Sequence, residues 1–205
     1  MLKLLVVLSA TLLLSAAAFA QVPPDVYQVG YAANLNIGDS IVNITNAGSE
    51  GGFEPSGNIC ANVYVFDPDQ QLIACCACPL TPNHLKNLSV KNDLISNTLT
   101  PGVPTSVTVA IAATKGGTCN AALGNIFGTP PQGVSAAAGL RAWFVTIHQG
   151  PTGDYNTTEN EFSPAPISPT QGQKLLQYCG FIQANGSGFG ICRSCRQGAQ
   201  GADRR

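Results

Sequence analysis

The 205-residue chain carries 10 lysines and arginines against 11 aspartates and glutamates, and charged residues make up 10% of it, against about 25% in an average globular protein. A net charge of −1 excludes the broad basic footprint of a nucleic-acid binder. A hydrophobic fraction of 44% excludes disorder, in which low hydrophobicity and high charge go together.

In chain order, the first segment is a predicted signal peptide over residues 1–20. Lys3 gives a positive start, Leu4 to Leu14 an apolar run, and Ala18-Phe19-Ala20 a small-x-small cleavage site before Gln21. The run is too short for a good membrane anchor, and no cysteine follows it for lipid attachment. The expected product is a secreted protein, periplasmic or extracellular, with no transmembrane segment in the mature chain. Its length of about 185 residues suits one core: a domain over 21–197, then a flexible basic tail over 198–205. Arg193, Arg196, Arg204 and Arg205 crowd this end, and a solvated tail is the plainest reading.

Strand signals dominate the mature part. Strands are predicted at Val26 to Leu35 and Ser40 to Asn46, with a Gly-rich loop from Gly48 to Gly57. Ile59 to Phe66 alternates, with Ile59, Ala61, Val63 and Val65 on one face and Cys60, Asn62, Tyr64 and Phe66 on the other. Asp67-Pro68-Asp69-Gln70 turns the chain and Gln71 to Cys76 returns. Both faces of this hairpin are largely apolar, which predicts a central place in its sheet. Further strands are expected at Leu85 to Val90, Thr105 to Ala113 and Leu140 to Gln149, with a short edge strand from Glu159 to Phe162. Lys115 to Gly139 reads as a long loop that Cys119 staples to the body, and Gly150 to Thr158 as another. Ser168 as N-cap, Pro169 at the first position and Gln171 predict a helix of about three turns. Leu175, Leu176 and Cys179 would be its buried stripe and Gly180 its stop. Short strands between turn residues, with one short C-terminal helix, give an all-β fold: a single disulfide-rich antiparallel β-sandwich, Ig-like in architecture.

Eight cysteines, Cys60, Cys75, Cys76, Cys78, Cys119, Cys179, Cys192 and Cys195, in an exported chain argue for disulfides. On a strand, Cys75 and Cys76 face opposite ways and need different partners. Spacing alone leaves the connectivity open. The competing reading is a metal or thiol-redox site built from Cys76 and Cys78 with Cys192 and Cys195, since thiolates suit zinc and C-x-x-C is a familiar half-site. Export favours oxidation, so no metal or other cofactor is expected.

No catalytic constellation is recognisable. A triad needs a histidine beside a nucleophile and an acid, yet His84 follows a turn and His148 ends a strand. The carboxylate pairs Asp67/Asp69 and Glu159/Glu161 are explained by a turn and a solvent-facing strand, and Asp67-x-Asp69 lacks the dense acidic loop of a calcium site. Binding by aromatic faces is the alternative: Tyr27, Tyr31, Tyr64, Trp143 and Tyr155 are candidates for a sugar or a partner. Trp143, mid-strand among apolar neighbours, is expected in the core, and Tyr155, in a polar loop, is expected exposed.

Two stretches carry a resemblance. Val63-Tyr64-Val65-Phe66-Asp67-Pro68-Asp69-Gln70-Gln71-Leu72-Ile73-Ala74-Cys75-Cys76-Ala77-Cys78 and Tyr178-Cys179-Gly180-Phe181-Ile182-Gln183-Ala184-Asn185-Gly186-Ser187-Gly188, the latter continued by Cys192-Arg193-Ser194-Cys195-Arg196, resemble a group of uncharacterised secreted acidobacterial proteins. That resemblance implies export and a bacterial source, and no activity.

The expected role is non-enzymatic: a structural, surface or extracellular-matrix β-sandwich, with self-association or an envelope or matrix polymer as partner. A carbohydrate- or ligand-binding module using Tyr155 and Trp143, and the metal or thiol-redox protein, are the alternatives. Intact mass measured without reductant is expected to begin at Gln21 and to fall eight hydrogens below the reduced mass. Two free thiols or a bound metal would overturn the reading of eight disulfide-bonded cysteines.

Overall fold

The computed structural model describes residues 24–128 and 135–195; the predicted signal peptide and the tail over 198–205 lie outside them. Among the described residues nine strands form two antiparallel sheets: β1 (Tyr27–Ala32), β2 (Asp39–Asn46), β3 (Ile59–Phe66), β4 (Leu72–Leu80), β5 (Leu85–Ser89), β6 (Val107–Lys115), β7 (Leu140–Gln149), β8 (Tyr155–Glu161) and β9 (Ser163–Pro164). Sheet A has the order β4-β3-β6-β1-β9 and sheet B the order β5-β2-β7-β8. A π-helical turn at Val90–Leu94 follows β5, and the helix α1 spans Pro169–Ala184. The β-sandwich with one C-terminal helix is the predicted fold class.

Alternation dictates the packing. Ile59, Ala61, Val63 and Val65 of β3 face Val42, Ile44, Leu140 and Phe144 of sheet B in the inter-sheet core. The opposite face of β3, with Cys60 and Tyr64, joins Cys75, Ala110 and Ala112 in a second core. Cys119, Ala121 and Ile126 of the β6–β7 connection and Leu175, Cys179 and Ile182 of α1 cover that core. Sheet A is therefore sandwiched on both faces.

This second layer corrects the placement of the predicted hairpin. β3 is central but β4 is an edge strand, and both faces of β4 are apolar because sheet B lies on one side and α1 on the other. Its edge is covered in part by the C-terminal segment, where Cys75 N donates to Gly190 O (2.8 Å) and Cys192 N to Cys75 O (3.3 Å), and by the connection before β6, where Leu99 N donates to Ile73 O (2.9 Å).

Buried polar side chains tie sheet to sheet and fix the register. Gln28 of β1 donates through Nε2 to Leu140 O of β7 (2.8 Å). Asn46 of β2 donates through Nδ2 to Gly57 O (2.8 Å) and Leu80 O (3.0 Å).

Other boundaries differ for local reasons. β1 ends at Ala32, short of Leu35, because Asn34 adopts a left-handed φ of 58°. β8 begins at Tyr155, so half of the predicted Gly150–Thr158 loop is strand, while Phe162 leaves sheet B to enter the core. Ser168 caps α1, its Oγ accepting from Gln171 N (3.1 Å) behind Pro169. Gly180 does not stop α1, which continues to Ala184. Burial of Ile182 under sheet A holds the next turn helical, and the left-handed glycine is Gly186, at φ 68°. Leu176 is only half-buried, Ile182 taking the place expected for it.

Phe144 and Phe162 stack between the sheets with ring centroids 4.4 Å apart, and Gly30 makes room for them. A Cβ there would enter the Phe144 ring and sit 3.0 Å from that of Phe162. Gly30→Ala is expected to cost about 1–3 kcal/mol through overpacking. Gly102→Ala, where a Cβ meets nothing within 4 Å, is expected to change urea-unfolding stability by less than about 1 kcal/mol.

Candidate functional site

The cysteines define the frame on which any surface site sits. All eight are paired: Cys60–Cys119, Cys75–Cys179, Cys76–Cys192 and Cys78–Cys195. Cys75 and Cys76 point to opposite faces of β4 and take different partners, as alternation requires. Cys60–Cys119 staples the β6–β7 connection to sheet A, and Cys75–Cys179 staples α1 to it. Cys76 and Cys78, two residues apart on one face, both bond the C-terminal C-x-x-C. The pairing thus assigns to disulfides the four cysteines of the alternative metal reading. Four disulfides are compatible with an oxidising, non-cytoplasmic compartment, and among the described residues no helix is long and apolar enough to cross a membrane.

Coverage of the two sheets is unequal. Sheet A has α1 on its outer face, whereas no element packs on the outer face of sheet B among the described residues. Register puts Trp143 opposite Asn43 and Glu161, Val145 opposite Ile41 and Glu159, Ile147 opposite Asp39 and Thr157, and Tyr155 opposite Gln149. Phe144 and Ala142 are buried between the sheets, so Trp143, Val145 and Ile147 look outward. Trp143 is half-buried on this face and not in the core, which corrects the expectation from its apolar neighbours. Tyr155, 67% exposed, shares the face and opens β8, not a loop. Six strand positions separate the row of Tyr155 from that of Trp143, about 20 Å. Between and beside them lie Thr157, Glu159 and the Asn43–Asn87 amide pair, in which Asn87 Nδ2 donates to Asn43 Oδ1. Strand β8 is exposed on both faces along its whole length.

The titratable groups do not converge. His84 sits in the turn before β5 and His148 near the far end of β7, at opposite ends of sheet B. Asp67 is a turn residue, its Oδ1 accepting from Gln71 N (2.8 Å). Glu159 and Glu161 stand on exposed β8. A cavity between α1 and sheet A, lined by Tyr64, Ala112, Gly124, Gly172 and Leu175, holds about 10 Å³, room for one water and not for a substrate.

Two aspartates escaped sequence reasoning. Asp39 Oδ2 accepts from Ser89 Oγ (2.6 Å) and its Oδ1 from Lys91 N (3.0 Å). Asp93 accepts from Ser89 N (2.8 Å), from Ser194 Oγ and, through its carbonyl, from Arg193 N (2.7 Å). Residues 101 positions apart meet here, and no local motif marks them. Compared with family models, curated proteins and solved structures, the chain matches none.

Tyr64, under α1, donates from its hydroxyl to Ala121 O (2.7 Å). Burial, with a smaller repulsion from Tyr27, pushes its phenol well above the ordinary tyrosine value, and burial raises Tyr27 as well. The folded state then holds these protons more tightly than the unfolded chain. Stability is full below pH about 10 and declines as pH rises past it. Tyr64→Phe is expected to cost about 1 kcal/mol at neutral pH through the lost hydrogen bond and to flatten the alkaline decline, measured by denaturant titration between pH 7 and 11.

Proposed function

We propose that this protein is a non-enzymatic structural, surface or matrix component that works outside the cytoplasm, and that its working surface is the outer face and free edge of sheet B. The observation that carries the reading is the unequal coverage: four staples and a helix close sheet A, while β8 offers an open edge exposed on both faces. An open strand edge pairs with another chain by main-chain hydrogen bonds. A charge-poor chain also lacks the repulsion that keeps proteins apart. Both features support self-association along β8.

A second reading, carbohydrate binding, is favoured by Trp143 and Tyr155 sharing one face with amide, hydroxyl and carboxylate groups between them. Aromatic rings stack on the apolar faces of sugars while such groups take their hydroxyls.

Sedimentation velocity across a concentration series is expected to show concentration-dependent assembly. Thr157→Lys with Thr158→Lys, placing charge on the edge, is expected to shift it toward monomer. A monomer at every concentration, with no retention on cell-envelope or matrix polymers, would overturn the structural reading. For the second reading, Trp143→Ala is expected to weaken retention on insoluble polysaccharide about three- to tenfold, and equal retention of variant and wild type would dismiss it.

A further inference from the structure

The Sγ atoms of Cys76, Cys78 and Cys195 lie within 4.8 Å of one another, and Cys192 is bonded to Cys76. Three sulfurs therefore lie together at the edge of β4, with the Cys192 sulfur joined to the group through its bond to Cys76. Tetrahedral zinc with Zn–S bonds of about 2.3 Å needs sulfurs about 3.8 Å apart, a spacing within reach of this cluster. All four cysteines are buried, with Cys195 the most accessible at 7%.

The segment that carries Cys192 and Cys195 is also held in place by contacts other than its disulfides. Ile191 pairs with Cys75 as a parallel β-bridge. Gly190, at φ 77°, donates from its N to Asn97 O (2.7 Å), and a Cβ there would meet the Ile182 side chain at 2.8 Å. Ser194, at φ 67°, bends the C-x-x-C back toward β4, and Asp93 clamps that turn through Arg193 N and Ser194 Oγ. These ties hold residues 190–194 against β4 and the 93–97 segment through groups other than sulfur.

We propose that the reduced forms of Cys76, Cys78, Cys192 and Cys195 make a single tetrathiolate site for a soft divalent cation such as zinc, so that metal ligation replaces two covalent staples. A dithiol or phosphine reductant supplies two electrons, and two protons are taken up, for each disulfide opened to a pair of thiols. Zinc binding then forms four Zn–S bonds and releases four protons, so affinity rises with pH. An external disulfide reverses the exchange: two equivalents accept four electrons and are reduced to thiols, both S–S bonds re-form and the cation departs.

The test uses the full chain, reduced with a phosphine under inert gas and given one equivalent of zinc. Native mass spectrometry is expected to show one zinc per chain. Alkylation followed by peptide mapping is expected to be at least tenfold slower at Cys76, Cys78, Cys192 and Cys195 than at Cys60, Cys75, Cys119 and Cys179. Cobalt in place of zinc is expected to give the absorption of a tetrahedral tetrathiolate. The double substitution Cys78→Ser and Cys195→Ser is expected to lose the metal. No retained zinc, uniform alkylation of all eight cysteines, protection of the other four, or undiminished binding in the double variant would each overturn the proposal. The alkylation map of the wild type decides the matter even where the variant does not fold.

Discussion

The two-residue period of one strand organises this molecule. β4 carries cysteines at 75, 76 and 78, and the pleat sends the first to one face and the other two to the opposite face. Cys75 thereby fastens α1 over the outer face of sheet A, while Cys76 and Cys78 fasten the C-terminal segment along its edge. A slip of one residue in the β3–β4 register would reverse all three directions and leave every partner on the wrong side. The bonds close separations of 104, 116 and 117 residues, so each strongly restricts the unfolded chain, by about 4–5 kcal/mol if taken alone in the chain-entropy picture. Because the closed segments overlap almost completely, those contributions do not add.

Much of this was legible in the residues. The two faces of β3 and of β7 follow directly from alternation, and the start of α1 follows from Ser168 and Pro169. What was not legible arises from tertiary neighbours. The apolar back of β4 has the composition of a central strand, but it is an edge strand covered by a helix that lies 89 positions further along, from Leu80 to Pro169. Gly180 has the chemistry of a helix stop, and the burial of Ile182 overrides it. Trp143 has core-like neighbours because a strand interleaves two faces, and only the position of sheet A shows which face is inside. The candidate surface was legible as two aromatic residues and not as a surface, since their shared face depends on the β7–β8 register. The Asp93 clamp left no trace in the sequence, because its partners lie a hundred residues away and belong to no motif.

The scarcity of charge takes a definite form in three dimensions. Among the described residues two ion pairs form, Lys115 at the end of β6 with Glu50 (3.1 Å) and Arg141 of β7 with Asp25 (3.3 Å). Amides take much of the burden that charges carry elsewhere: Gln28 and Asn46 join the sheets, Asn62 is buried against Ala112 O and Thr114, and Asn43 pairs with Asn87 across sheet B. Such groups bond a buried carbonyl without the desolvation penalty of an ion. A fold held this way depends little on ionic strength.

The pairing order has a consequence for how the chain is made. No native bond joins cysteines that are consecutive in the chain: Cys60 waits for Cys119 while Cys75, Cys76 and Cys78 come between, and those three wait for Cys179, Cys192 and Cys195. A chain oxidised as it emerges, each thiol taking its nearest predecessor, would form four wrong bonds and no right one. Maturation therefore belongs to the completed chain, and it calls for a thiol isomerase wherever oxidation outruns folding. Residues 179–195 act as the closing piece of an assembly whose other parts are already in position.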